Sequence, residues 1–274
     1  MSRIPAVADM FYPGDKDRLR EQLSSFVRPA PEPKKVMAAI SPHAGYMYSG
    51  GVAGAVFSQI SIQDTVVILG PNHRGMGAKV ALNTSGTWEM PMGSVPINEA
   101  LAESILRVST SVVKIEDDSG AHTMEHSIEV QVPFLQFLRP EVSIVPIGVS
   151  HLTYDACQEI GQALVQGIQG FGKEVLMVAS TDMTHYESQD QAKAKDKLAI
   201  DRILDLDPKG LYETVSRHGI SMCGMIPTTI VLEACRAMGA ERAELVQYAT
   251  SGDVTGDYAQ VVGYAGFIIY PKVA

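Results

Sequence analysis

The stretch Val36-Met37-Ala38-Ala39-Ile40-Ser41-Pro42-His43-Ala44-Gly45-Tyr46 carries an apolar run straight into a Ser/Pro/Gly turn that holds a histidine. The same arrangement returns twice. Thr65–Leu69 runs into Gly70-Pro71-Asn72-His73-Arg74-Gly75, and Val175–Ala179 into Ser180-Thr181-Asp182-Met183-Thr184-His185-Tyr186. Near-continuous apolar runs of this length suit strands covered on both faces. In open α/β sheets, ligands sit beyond the carboxyl ends of the strands. If these three strands are parallel neighbours, their terminal imidazoles project into one crevice.

Outward from these runs, Val142–Ile147 reads as a further buried strand, and Leu245–Ala249 and Gln260–Tyr270 read as closing strands. Helical patterns separate them, over Lys16–Val27, Gly51–Gln59, Asn98–Arg107, Tyr154–Gln166, Gln191–Leu204 and Thr228–Met238. Asn98 and Thr228 are expected helix starts. Alternating strands and helices predict an α/β layered sandwich, a mixed or mostly parallel sheet flanked by helices. With no repeat, low-complexity tract or long linker, a single domain is expected over residues 1–274.

Composition bounds the function classes. In 274 residues, 46% are hydrophobic and 19% charged, which supplies a sizeable core and too little charge for a disordered chain. The formal net charge of -9 repels phosphate backbones, so nucleic acid is not an expected partner. No run of about 18 apolar residues exists, and no membrane span is expected. The first residues lack a signal-peptide pattern, so the expected location is cytoplasmic. Three cysteines do not make a disulfide framework; Cys157 and Cys235 read as buried core thiols.

The chemistry concentrates on few residues. His43 and His73, at equivalent strand ends, suit transition-metal ligation, although a lone loop histidine more often caps a turn. Gly45 and Gly75 beside them would allow positive φ or close backbone approach. Cys223, in Ser221-Met222-Cys223-Gly224-Met225-Ile226-Pro227, precedes a helix whose N-terminus favours thiolate, a nucleophile and a metal ligand; a buried small hydrophobe is the alternative. Two imidazoles and a thiolate would make an open three-ligand site for iron, copper or zinc. Asp182 and His185 share one loop, where a carboxylate would orient a general base, or Asp182 would merely cap a helix. In Ala121-His122-Thr123-Met124-Glu125-His126-Ser127-Ile128-Glu129, His126 and Glu129 would share one helix face, and Glu125 and His126 would line the cleft or serve as caps. His151 and His218 read as structural, and Asp253 as a turn former or a residue bordering the site. No Walker A loop, strand-linked Gly-x-Gly-x-x-Gly or Gly-x-Ser-x-Gly is present.

Taken together these segments resemble the Memo family. Arg3-Ile4-Pro5-Ala6-Val7-Ala8 with Phe11-Tyr12-Pro13-Gly14 is similar to its opening motif, and Pro42-His43-Ala44-Gly45-Tyr46 and Gly70-Pro71-Asn72-His73 to its next two. The stretch Glu125 to Gln136, then Ser180 to Tyr186, then Cys223-Gly224 complete the set in order. The resemblance implies a fold shared with class III extradiol dioxygenases, in which two histidines and a glutamate hold Fe(II) and a further histidine is acid/base. It implies His43 and His73 as metal ligands and His185 as acid/base, with Asp182 and His126 beside it. This sequence departs at the third ligand, where Cys223 stands in place of a carboxylate. Fe(II) is the metal expected, with copper or zinc as the alternatives. The resemblance further implies a small-molecule or peptide ligand and association with a radical-SAM protein and an AMMECR-type protein. Two functional classes follow: a non-haem iron or copper oxidoreductase of dioxygenase type, or a non-catalytic binding module, metal chaperone or redox buffer using the same cleft.

Overall fold

A computed structural model describes residues 2–272; the domain expected over 1–274 extends beyond them at Met1, Val273 and Ala274. The strands are β1 (Ser2–Arg3), β2 (Ala38–Ser41), β3 (Thr65–Pro71), β4 (Val80–Leu82), β5 (Thr87–Met90), β6 (Gly93–Pro96), β7 (Glu116–Asp117), β8 (Ser143–Val149), β9 (Leu176–Ser180), β10 (His185–Glu187), β11 (Ala240–Thr250) and β12 (Val261–Pro271). The helices are α1 (Lys16–Phe26), α2 (Tyr46–Gln59), α3 (Glu99–Leu106), α4 (Val132–Leu138), α5 (Tyr154–Phe171), α6 (Gln189–Leu204), α7 (Pro208–His218), α8 (Met225–Ala237) and the single turn α9 (Gly252–Thr255).

The main sheet has the order β10-β12-β2-β9-β3-β8-β4-β7, with β11 also paired to β12. Its centre is parallel: β2 pairs with β9, β9 with β3 and β3 with β8. β12 runs antiparallel to β2, and β4 antiparallel to β8, which makes the sheet mixed. Every residue of β2, β3 and β9 is buried. Burial without alternation means both faces are covered, which is why these segments read as uninterrupted apolar runs. A small second sheet, β1-β5-β6, lies apart.

Helix ends follow local chemistry. Asp15 caps α1 by accepting from the backbone N–H of Asp17 and Arg18, Asn98 caps α3 through Leu101, and Thr153 caps α5 through Ala156. α5 ends at Gly172 in the left-handed region. Two expected starts shift. α2 begins at Tyr46, inside the first histidine turn, and α8 begins at Met225 rather than at Thr228, because Gly224 supplies its cap position. α7 and the short strands β1, β4–β7 and β10 escape the sequence reading, being too brief or too polar to carry a period.

The chain's beginning is tied to its middle by a buried ionic knot. Arg3 donates Nη2 to Glu129 at 2.7 Å and lies 4.1 Å from the centre of the Trp88 ring. Its Nε and Nη2 also donate to the carbonyls of His122 and Glu125. Glu129, fully buried, accepts further from the Tyr12 hydroxyl and from the N–H of Ala6 and Val7. The expected shared helix face of His126 and Glu129 is therefore overturned. The segment over Glu129–Gln131 is one 3-10 turn, and Glu129 is drawn to the N-terminal strap. Replacing Glu129 by Ala leaves Arg3 buried without its counter-charge. The expected outcome is a loss of about 3–5 kcal/mol in a urea unfolding titration; a loss below about 1 kcal/mol would show that the knot is dispensable.

Candidate metal centre

The order β2-β9-β3 brings the three histidine-bearing turns side by side at one end of the sheet. His43 follows β2, His73 follows β3, and His185 opens β10 just beyond β9. All three line one cavity of about 660 Å³, together with His126, Asp182, Phe11, Tyr48 and Tyr264. The ligand atoms of His43, His73 and His126 lie within 4.8 Å of one another. The rings of His73 and His126 stack with centroids 4.7 Å apart, while His43 meets each of them edge-on, at 5.2 and 5.5 Å.

Hydrogen bonds fix the ring tautomers. The Ser180 hydroxyl has one proton and gives it to the Ser127 carbonyl at 2.6 Å. It accepts from Gln131 Nε2 at 2.8 Å. Its contact of 2.9 Å with His43 Nδ1 is therefore an N–H of His43 donating to oxygen, which leaves the lone pair on Nε2. Gln131 is itself oriented by donating to the carbonyl of Pro42 at 2.9 Å. His73 is held by a carboxylate: Glu125 accepts the backbone N–H of His73 at 2.6 Å and Nδ1–H at 2.9 Å. Burial opposes charge on Glu125, but hydrogen bonds from His73 and the Ser127 N–H prevail and hold its carboxyl down at about 2. With Nδ1 turned to Glu125, Nε2 is the ring nitrogen of His73 left to face the other imidazoles. Ring nitrogen backed by carboxylate or hydroxyl, with the other nitrogen free, is the arrangement metal-binding histidines adopt.

Burial pushes His43 well below the usual imidazole range and His126 down to about 4, so both are neutral donors at pH 7. His185 donates Nδ1–H to the Ser221 carbonyl at 2.9 Å and lines the cavity. Asp182 is no helix cap. Its Oδ1 accepts the His43 backbone N–H at 2.8 Å, and burial raises its pKa.

Cys223 touches His43 alone of the cluster, with Sγ 3.2 Å from Nε2; the group the structure gathers is His43, His73 and His126, and Cys223 is not among the residues that line the cavity. It also accepts the Asp182 N–H at 3.2 Å. The expected stabilisation of thiolate by the α8 N-terminus is overturned: burial, followed by the charge of Asp182, pushes the thiol well up. The protonated sulfur faces the Nε2 lone pair of His43. The loop carrying it is seated by Gly224, where a Cβ would lie 2.3 Å from both the Ser180 carbonyl and the Thr181 Cβ. Of the flanking glycines, Gly75 has φ +61°, whereas Gly45 takes φ -55° as the cap of α2.

The other polar residues sort themselves. His122 donates Nε2–H to the Ala81 carbonyl at 3.0 Å, is buried, and is held down to about 4 by burial; it is structural. His151 and His218 are exposed, away from the cavity. Asp253 accepts the N–H and hydroxyl of Thr250 and is a turn former, while its neighbours Ser251, Thr255 and Asp257 line the cavity. Sequence reasoning missed the wall supplied by Met10 and Phe11, the latter 4.8 Å from His126. The aromatic turn Phe11-Tyr12-Pro13-Gly14 was its only signal.

A mixed α/β sheet with imidazole donors gathered at the carboxyl ends of parallel strands defines a protein with a metal-type cleft. The chain belongs to the Memo family: the family described as Memo-like protein matches residues 3–268. MEMO1 family proteins of Methanopyrus kandleri and Methanothermobacter thermautotrophicus are 43% and 41% identical to it, covering 98% and 97% of this chain and 99% of each relative. One of Archaeoglobus fulgidus is 41% identical, covering 97% of this chain and 98% of the relative. At the level of fold, the crystal structure of an uncharacterised Escherichia coli K12 protein matches with a TM-score of 0.55 at 13% identity, over 84% of this chain and 99% of that one.

The tautomer assignment is testable without metal. Long-range 15N–1H spectra of the wild-type chain should show His43 protonated on Nδ1 alone. Ser180→Ala should convert that signal to a mixture of tautomers while His73, held by Glu125, stays unchanged. A His43 protonated on Nε2 in the wild type would refute the assignment.

Proposed function

We propose that this cleft binds a first-row transition metal through His43, His73 and Cys223, and that the protein is an oxidoreductase of the non-haem dioxygenase type. The observation that carries the reading is the pair of oriented imidazoles: in both rings Nδ1–H is consumed by a fixed acceptor, so both Nε2 lone pairs are left for one ion. The chemistry of the donors fits. Cys223 Sγ stands 3.2 Å from His43 Nε2, near enough that one ion would be held by both, the thiol losing its proton on binding. Fe(II) suits the two-histidine open site best, with copper or zinc as the other ions a thiolate and imidazoles accept. Bound iron would supply a site for activating oxygen next to substrate.

The remaining work falls to the chain's own groups. Asp182, bonded to the His43 N–H, positions that ligand. His185, fixed by Ser221, would take or return a substrate proton at its free nitrogen. His126, neutral and stacked on His73, faces the cavity and would either pass a proton or add a further nitrogen to the ion. Met10 and Phe11 screen this floor from water on one side.

A second reading, a binding module without turnover, uses the same residues. It is favoured by the exposed tyrosine rim, with Tyr186 at 73% exposure beside His185.

The test is elemental analysis of protein purified without oxygen and reconstituted with Fe(II), followed by oxygen uptake with aromatic candidate substrates. His43→Ala and His73→Ala should each weaken metal binding at least about tenfold, and Cys223→Ser should shift the preference away from copper. His43 is only 2% exposed, so its replacement should also cost about 1–3 kcal/mol of stability, whereas the more open His73 should cost less. Both alanine variants binding metal like the wild type would overturn the ligand assignment. Turnover that survives removal of the metal would overturn the oxidoreductase.

A further inference from the structure

The cavity has a one-sided polarity. Among the described residues that line it there is no lysine or arginine, whereas two carboxylates do, Asp182 at the floor and Asp257 towards the mouth. The nearest guanidinium by sequence, Arg74, is turned to the Met124 carbonyl and does not line the space. The floor is made of acceptors, since His43, His73 and His185 all spend Nδ1–H on protein oxygens. The walls are aromatic: Phe11, Tyr48, Tyr186 and Tyr264. Asp257 is exposed, accepts only the Ala259 N–H and has no ion-pair partner among the described residues.

These features select a ligand by charge. An anion in this space meets no lysine or arginine side chain and shares the cavity with the Asp257 carboxylate. A protonated amine meets an unpaired carboxylate and the faces of aromatic rings, both of which attract it. An aromatic body fills the tyrosine-lined walls, and a hydroxyl at its far end finds His185, the lining imidazole not assigned to the ion.

We infer that the cleft takes aromatic amines, molecules with a hydroxyl-bearing ring and a cationic tail, with the tail held at Asp257. The inference deepens the reading of the cleft as a substrate site. It concerns the outer half of the cavity and not the ion.

The test uses tyramine, p-cresol and 4-hydroxyphenylacetate, which share a phenol and differ in the charge of the tail. Binding of each to the full chain is measured by titration calorimetry at neutral pH, with metal-free and with Zn(II)-loaded protein. Tyramine is expected to bind about threefold more tightly than p-cresol, and 4-hydroxyphenylacetate more weakly than p-cresol, with the size typical of an exposed charge pair. Asp257→Asn should remove the advantage of tyramine and leave p-cresol unchanged. The inference is overturned if the carboxylate binds as well as tyramine, if no phenol binds, or if Asp257→Asn keeps the order. Because the order is read without metal, it can fail while His43 and His73 still hold an ion, and it can stand when they do not.

Discussion

Parallel pairing of β2, β9 and β3 is the constraint on which the rest of the molecule depends. Neighbouring parallel strands end on the same side, so their following turns are delivered within a few ångströms of one another whatever their separation in sequence. His43, Asp182, His185 and His73 meet for this reason and for no local one. The turns can then be short and polar, because the strands beneath them are buried on both faces.

Upon this frame a second layer of hydrogen bonds decides what the histidines are. Ser180 sits at the end of the middle strand, between the other two, and its single proton goes to Ser127. That choice, made one residue behind the cleft, makes His43 a donor on one side and an acceptor on the other. Glu125 does the same for His73 by remaining ionised in a dry place, since it has four donors from the chain. The acid-base character of the floor is therefore set by residues that never touch its contents.

Much of this was legible in the sequence, and the part that was not has a physical cause. Uninterrupted apolar runs ending in Gly/Pro turns gave away β2, β3 and β9 and the convergence of their histidines, because burial on both faces removes alternation. The state of Cys223 was not legible: a helix start was visible near Thr228, but what overrides it is burial in the folded chain and the charge of Asp182, some 40 residues away in sequence. Glu129 was misread for a related reason. Its spacing from His126 suits a helix, yet Arg3, Tyr12 and the N–H groups of Ala6 and Val7 outbid that geometry with four bonds from more than a hundred residues upstream. The wall formed by Met10 and Phe11 was hidden because no period links a strap to the cavity it covers.

The position of β12 carries a consequence for how the molecule comes into being. This strand, the last among the described residues, lies inside the sheet, with β2 on one side and β10 and β11 on the other. β2 therefore gains its second neighbour only through a contact spanning more than two hundred residues, the kind of pairing that slows folding because chain entropy is spent before it is rewarded. During synthesis the loop bearing His43 must wait on a half-paired strand until the C-terminal region has emerged. Until then the turn bearing His43 rests on an open edge, whereas β9 and β3, which lead to the other histidine turns, already have a neighbour on each side.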